Sequence, residues 1–170
     1  MRRNKKSAAG VQMTHSKDSL DSISAKTVST FDGISADQMY REHILDHYKN
    51  PRNQGTLKDA LHSHEDNPLC GDEIDMYIEI KDNKIKNISF TSEGCAISQA
   101  SASMLTEYVK GKDIEKIAAL SRESMQELLG IDVTAMRVKC MMLPLKAVKM
   151  IVFRQMGKQK ENERMIEGEL

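Results

Sequence analysis

The chain has 170 residues, with 25 basic and 25 acidic side chains and a formal net charge of +0. That balance excludes the broad cationic field that drives non-specific nucleic-acid binding, and three Phe, four Tyr and no Trp exclude a base-stacking platform. No run of about 18 apolar residues exists, so no membrane-spanning helix is expected, and three widely spread cysteines cannot close a disulfide framework and read as reduced thiols.

Residues 1–36 carry Arg2, Arg3, Lys5, Lys6, Lys17 and Lys26 against Asp18, Asp21 and Asp32, among many Ser and Thr. Such a segment buries too little apolar surface to offset its ordering entropy, and reads as a disordered polar tail. Its basic start leaves an organelle transit peptide as the alternative, so the expected location is cytoplasmic, or an organelle matrix if the start is a targeting segment. No apolar stretch follows Arg2 and Arg3, so a secretory signal is not expected. The domain is expected at 37–156, followed by a charged C-terminal tail at 157–170.

Ser35 followed by Gln38 has the capping-box pattern, and Tyr40, His43, Ile44, His47 and Tyr48 recur at helical spacing until Pro51. A first amphipathic helix is expected there. An extra strand is expected around Thr56–His62. Ile74, Met76, Ile78 and Ile80 then alternate with polar partners, and a Lys81–Lys84 turn leads into Ile85–Thr91, giving an antiparallel hairpin. After Gly94 the period is helical again, through Ile97, Ser101, Met104, Leu105 and Tyr108 to Gly111. Short helices are expected at Asp113–Leu120 and Ser121–Leu129, and a last helix starting near Met141 with Pro144 in its first turn. A small antiparallel sheet followed by helices makes an α+β domain in two layers.

All three cysteines fall at ends of these elements: Cys70 in a turn before a strand, Cys95 between a strand and a helix, Cys140 just before the last helix. A free Cys is also simply a small hydrophobe, and three scattered ones require no function. Gly71 and Gly94 beside Cys70 and Cys95 favour the other reading, because glycine lets backbone approach a ligand closely. Helix N-termini at Cys95 and Cys140 would lower both thiol pKa values and favour the thiolates that bind iron or zinc or accept sulfur. Asp72, two residues beyond Cys70, is the candidate fourth, labile ligand. The separations of 25 and 45 residues match no short metal-knuckle pattern, so spacing alone leaves the metal site open.

Among the other polar residues, Arg137 and Lys139 are candidates for stabilising a thiolate or persulfide, or are solvated side chains. His43 and His47, one helical turn apart, have metal-binding spacing but share a packing stripe with Ile44, and are read as packing residues. His62 and His64 are placed in a loop able to bind adventitious metal. Ser98, Ser101 and Ser103 are expected to allow close helix packing beneath the site. No His has a context that pairs it with a cysteine as in a Cys/His protease.

The segments Asn67-Pro68-Leu69-Cys70-Gly71-Asp72, Ser92-Glu93-Gly94-Cys95-Ala96-Ile97-Ser98-Gln99-Ala100-Ser101-Ala102-Ser103 and Arg137-Val138-Lys139-Cys140 resemble the IscU, NifU N-terminal and SufU family of iron–sulfur cluster assembly proteins. Tyr40 to Asn53 is similar to that family's N-terminal helix, so the resemblance runs from about residue 38 to 154. It implies a three-stranded antiparallel sheet with helices packed on it, and one exposed site formed by Cys70, Asp72, Cys95 and Cys140. There a [2Fe–2S] cluster would be built from Fe2+ and persulfide sulfur, or Zn2+ held instead. It also implies a cysteine desulfurase as sulfur donor, Cys70 or Cys140 as sulfur acceptor, and apo iron–sulfur proteins or downstream carriers as recipients.

Two departures bear on the branch. Lys139 stands where IscU-type chains have His, and Val133-Thr134-Ala135-Met136-Arg137 replaces their Leu-Pro-Pro-Val-Lys motif, so a dedicated Hsp70 chaperone is not expected. The Arg-x-Lys-Cys wording is closer to SufU-type zinc-dependent sulfurtransferases, yet the extra segment those chains carry between the second and third cysteines is missing. Scaffold, zinc-dependent sulfurtransferase and structural zinc module therefore all remain, with the scaffold preferred on the short Cys95–Cys140 interval.

Overall fold

The computed structural model of the chain describes residues 35–157. The polar segment expected to be disordered, apart from its last two residues, and the charged tail beyond residue 157 lie outside the described residues. Eight elements follow in order: α1 (Ala36–Lys49), β1 (Leu61–Asn67), β2 (Asp72–Lys81), β3 (Lys84–Glu93), α2 (Ala96–Val109), α3 (Ile114–Ala118), α4 (Arg122–Leu129) and α5 (Ala135–Gln155). The strands form one antiparallel sheet in the order β1-β2-β3, the α+β architecture expected.

Alternation fixes which way this sheet faces. Ile74, Met76 and Ile78 of β2 and Ile88 and Phe90 of β3 are buried, against Leu105 and Val109 of α2 and Met141, Leu145, Val148 and Val152 of α5. Full burial of each such side chain contributes roughly 1.5–3 kcal/mol relative to exposure. The opposite face carries His62, His64, Asp75 and Tyr77. Asp82 and Asn83 both adopt positive φ in the two-residue turn between β2 and β3, the conformation a tight hairpin requires and these residue types tolerate. The first sheet strand is Leu61–Asn67, so the strand expected at Thr56–His62 begins five residues later, and His62 and His64 stand on a strand and not in a loop. Polar Ser63, Glu65 and Asn67 on its inner side hide the alternation that marks β2.

Helix α1 is capped by Ser35, whose side chain accepts the Gln38 N–H. Of its expected stripe only Ile44 and His47 are buried, while Tyr40, His43 and Tyr48 are exposed. The segment after it does structural work. Arg52 binds Asp46 and the Asn50 carbonyl, Asn53 Nδ2 donates to Thr106 Oγ1, and the Asn53 carbonyl and Gly55 N–H bond to the backbone of Phe90. The Asn50-Pro51-Arg52-Asn53 stretch thereby fastens α1 to the β3 edge and to α2.

Helix α5 begins at Ala135, six residues before the expected start, with Thr134 as its N-cap. Pro144 is its tenth residue and not a first-turn residue. Proline has no N–H, so the carbonyl of Cys140, four residues earlier, has no intrahelical donor. Burial of thirteen residues of this helix outweighs the local penalty. No helix among the described residues is long and apolar enough to cross a membrane.

Candidate metal and sulfur site

Four separate elements bring the candidate residues together. Cys70 lies in the turn between β1 and β2, where the Cys70 and Gly71 N–H groups both donate to the Asn67 carbonyl and Gly71 takes φ +67°. This tight loop lifts Leu69 and Cys70 into solvent. Asp72 is the first residue of β2 and is 1% exposed. Cys95 is the N-cap of α2, as expected, and is partly exposed. Cys140 is the sixth residue of α5 and is buried.

The sulfur of Cys140 lies 3.3 Å from that of Cys70. Ligand atoms of Cys70, Asp72 and Cys140 all lie within 4.8 Å of one another. Asp72 Oδ1 accepts the Cys95 N–H at 2.9 Å, and Oδ2 is 3.6 Å from Cys95 Sγ. Three of the four sequence candidates therefore cluster, and Cys95 adjoins the cluster through Asp72. Gly94 makes the approach possible, because a Cβ there would stand 2.7 Å from Asp72 Oδ1. Two thiolates on one tetrahedral zinc are about 3.8 Å apart, given Zn–S bonds near 2.3 Å, so the Cys70–Cys140 pair needs to open by only about half an ångström. A donor set of three sulfurs and one oxygen suits iron and zinc and mismatches magnesium or calcium.

The position of Cys140 overturns one expectation. It sits inside the helix and not at its N-terminus, and burial pushes its thiol well above the ordinary range, helped by contacts with Asp72 and Cys70. Arg137 and Lys139 are both exposed, and Lys139 lines a groove of about 160 Å³ beside the thiols with Asp66, Asn67, Pro68, Leu143 and Lys146.

Asn67 belongs to the site although the sequence reading left it as flanking motif. Its amide donates to Cys140 Sγ at 3.7 Å, its side-chain oxygen accepts the Leu69 N–H, and its carbonyl holds the Cys70 turn. The Asn-Pro pair before a Cys-Gly turn is the signal that could have identified it. Ser98, Ser101 and Ser103 are all buried in α2, but Ser103 turns toward α1, where its Oγ meets His47 Nδ1 and accepts the Arg52 N–H.

The profile described as NifU-like N terminal domain matches residues 39–162. The chain is 36% identical over 138 residues to the zinc-dependent sulfurtransferase SufU of Bacillus subtilis, covering 71% of this chain and 94% of that protein. It is 37% identical over 145 residues to the iron–sulfur cluster assembly scaffold protein IscU 1 of Archaeoglobus fulgidus, covering 78% and 94%. Among solved structures, a protein of Fervidobacterium islandicum assigned to the SUF system as a cluster assembly scaffold aligns with TM-score 0.59 at 28% identity, covering 65% of this chain and 94% of that one. On the profile match and these identities, the chain belongs to the NifU-like N-terminal domain family of iron–sulfur cluster assembly proteins.

Proposed function

We propose that this chain is a scaffold on which iron and persulfide sulfur are combined into a [2Fe–2S] cluster, held by Cys70, Cys95, Cys140 and Asp72 and then passed to apo-proteins. The observation that carries this reading is the graded exposure of one convergent donor set. Cys70 faces solvent, Cys95 is half-buried at a helix N-terminus, and Cys140 and Asp72 are buried. A buried anchor with an exposed entry suits a site that loads and unloads its contents.

Sulfur enters at Cys70. Its thiolate attacks the terminal sulfur of a cysteine desulfurase persulfide, the persulfide S–S bond breaks, and the desulfurase cysteine leaves as a thiolate. Cys70 then carries the sulfane sulfur, with Cys140 3.3 Å away as a second acceptor. Conversion of each sulfane sulfur to sulfide takes two electrons from an external reductant. Lys139, exposed in the groove that Asn67 also lines, would supply positive charge for an arriving anionic persulfide, and Arg137 two residues earlier would add to it. Cytoplasm, or an organelle matrix, supplies the reducing conditions these thiols need.

A second reading rests on the exposed Cys70 and the Bacillus subtilis relative: the same four residues hold zinc, and Cys70 leaves the metal to accept sulfur. One experiment separates the two. Apo-protein is given ferrous iron, cysteine and a desulfurase without oxygen, and a thiolate-ligated [2Fe–2S] absorption is expected in wild type and absent in Cys95→Ser. Zinc retained by the thiols after anaerobic purification, with no desulfurase-dependent chromophore, would overturn the scaffold in favour of a zinc protein, and sulfur transfer to Cys70 would then mark it as a sulfurtransferase and not a structural zinc module.

A further inference from the structure

We propose that His43, His47 and Glu107 form a second metal site, separate from the thiol cluster, which takes a borderline divalent cation of the zinc type. His43 and His47 are four residues apart on one face of α1, and their Nε2 atoms are 3.1 Å apart. Two imidazole nitrogens bound to one tetrahedral zinc at 2.0–2.1 Å lie about 3.3 Å apart. The ring centroids are 4.6 Å apart with planes at 86°, closer than a straight N–H···N bond between imidazoles would leave them. The two nitrogens are in hydrogen-bond contact, and one divalent ion could replace the proton they share.

His47 has a carboxylate near it and a hydrogen-bond partner behind its ring, and Glu107 must swing inward to reach both imidazoles. Glu107 Oε2 of α2 lies 3.8 Å from His47 Nε2, too far for a hydrogen bond, and its side chain is 52% exposed and free to swing closer. His47 is 3% exposed, and its Nδ1 is held at 2.8 Å by Ser103 Oγ, one helical turn before Glu107. Ser103 Oγ is itself fixed by the Arg52 N–H at 2.8 Å. A hydrogen-bonded second nitrogen is what orients a metal-ligating imidazole and sets its tautomer. Three protein ligands leave a fourth position for water. The site lies at the α1–α2 seam, with Ser103 eight residues along α2 from Cys95, about 12 Å away along the helix axis. A cation there would fasten α1 to α2.

The test is a cobalt titration of the full chain without oxygen. Thiolate-to-cobalt charge transfer in the near ultraviolet reports the thiol cluster, and d–d absorption gained without it reports a nitrogen and oxygen site. Wild type is expected to bind two equivalents, His43→Ala one, and Glu107→Gln the second at least 10-fold more weakly. In Cys70→Ser/Cys95→Ser/Cys140→Ser one equivalent is expected, lost when His43→Ala is added. If that variant does not fold, the wild-type and His43→Ala titrations decide alone. A single equivalent in wild type, or a second equivalent that persists in His43→Ala, overturns the proposal.

Discussion

Asp72 Oδ1 accepts the Cys95 backbone N–H at 2.9 Å, so the one oxygen donor of the site also caps the helix that carries the second thiol. Ligand and structural roles are thereby joined in one carboxylate, and two substitutions separate them. Asp72→Ala removes both and leaves the part-buried Cys95 N–H without its partner, a cost of about 1 kcal/mol to the apo-protein. Asp72→Asn keeps an oxygen for the Cys95 N–H and removes only the carboxylate. Asp72→Asn is expected to unfold within about 0.5 kcal/mol of wild type on the same bond argument, yet to hold its cluster longer and pass it more slowly to an apo-ferredoxin. A cluster lost faster from Asp72→Asn than from wild type would remove Asp72 as the labile ligand.

Gly94 faces the same carboxylate from the other side. A Cβ there would lie 2.7 Å from Asp72 Oδ1 and 2.9 Å from Cγ. Gly94→Ala must push Asp72 aside, at about 1–3 kcal/mol for overpacking a filled space. Urea unfolding should show that loss, and zinc affinity should fall with it because Asp72 and Cys95 move apart. Unaltered zinc affinity would mean that Asp72 contributes nothing to metal binding.

What was legible in the sequence follows the strength of the local signal. Alternating Ile and Met marked β2, Ile88 and Phe90 on one face marked β3, and Asp113 and Ser121 marked the starts of α3 and α4, because period and capping are short-range properties. The start of α5 was misplaced because Pro144 has its strongest local preference in a first turn, and burial across the sheet overrides it. The same error put Cys140 at a helix terminus and gave its thiol the wrong direction of shift. The four candidate donors stood out by their places at element ends, but their joining in one site was legible only through motif wording, since it depends on β1, β2, α2 and α5 converging, which no spacing encodes. Glu107, 64 and 60 residues from His43 and His47, was invisible for that reason.

A small acid-limb effect is expected from Glu79, whose carboxyl is held below its usual value by hydrogen bonds from Lys86 Nζ at 2.8 Å and Asn87 Nδ2 at 2.7 Å. A carboxyl depressed in the folded state adds stability above its unfolded pKa, and that part is lost as pH falls through the folded value. Glu79→Gln should therefore melt below wild type at pH 7 and converge with it near pH 3. The group is exposed, so the difference at neutral pH is small and shrinks with added salt. Curves that differ equally at both values would place the effect in packing and not in charge.

The thiols should differ in reactivity in an order set by burial. In metal-free protein at neutral pH, iodoacetamide should modify exposed Cys70 first and Cys140 last, because Cys140 is 1% exposed and its thiol is pushed up by that burial. Its modification should wait on local opening, and so speed up in mild urea while Cys70 changes little. Lys139 tests what sets the Cys140 thiol. The side chain lines the neighbouring groove in solvent, whereas burial and contacts with Asp72 and Cys70 dominate at the sulfur. Lys139→Ala should therefore leave the alkylation rate of Cys140 within about twofold of wild type, a difference of less than 0.5 kcal/mol, and act instead on the rate at which a desulfurase delivers sulfur to Cys70. Zinc should protect all three cysteines together, since a bound thiolate is no longer a free nucleophile, and chelation should restore the original order. If Lys139→Ala slows Cys140 tenfold, its charge reaches the sulfur. The lysine would then belong to the thiol site and not to the groove.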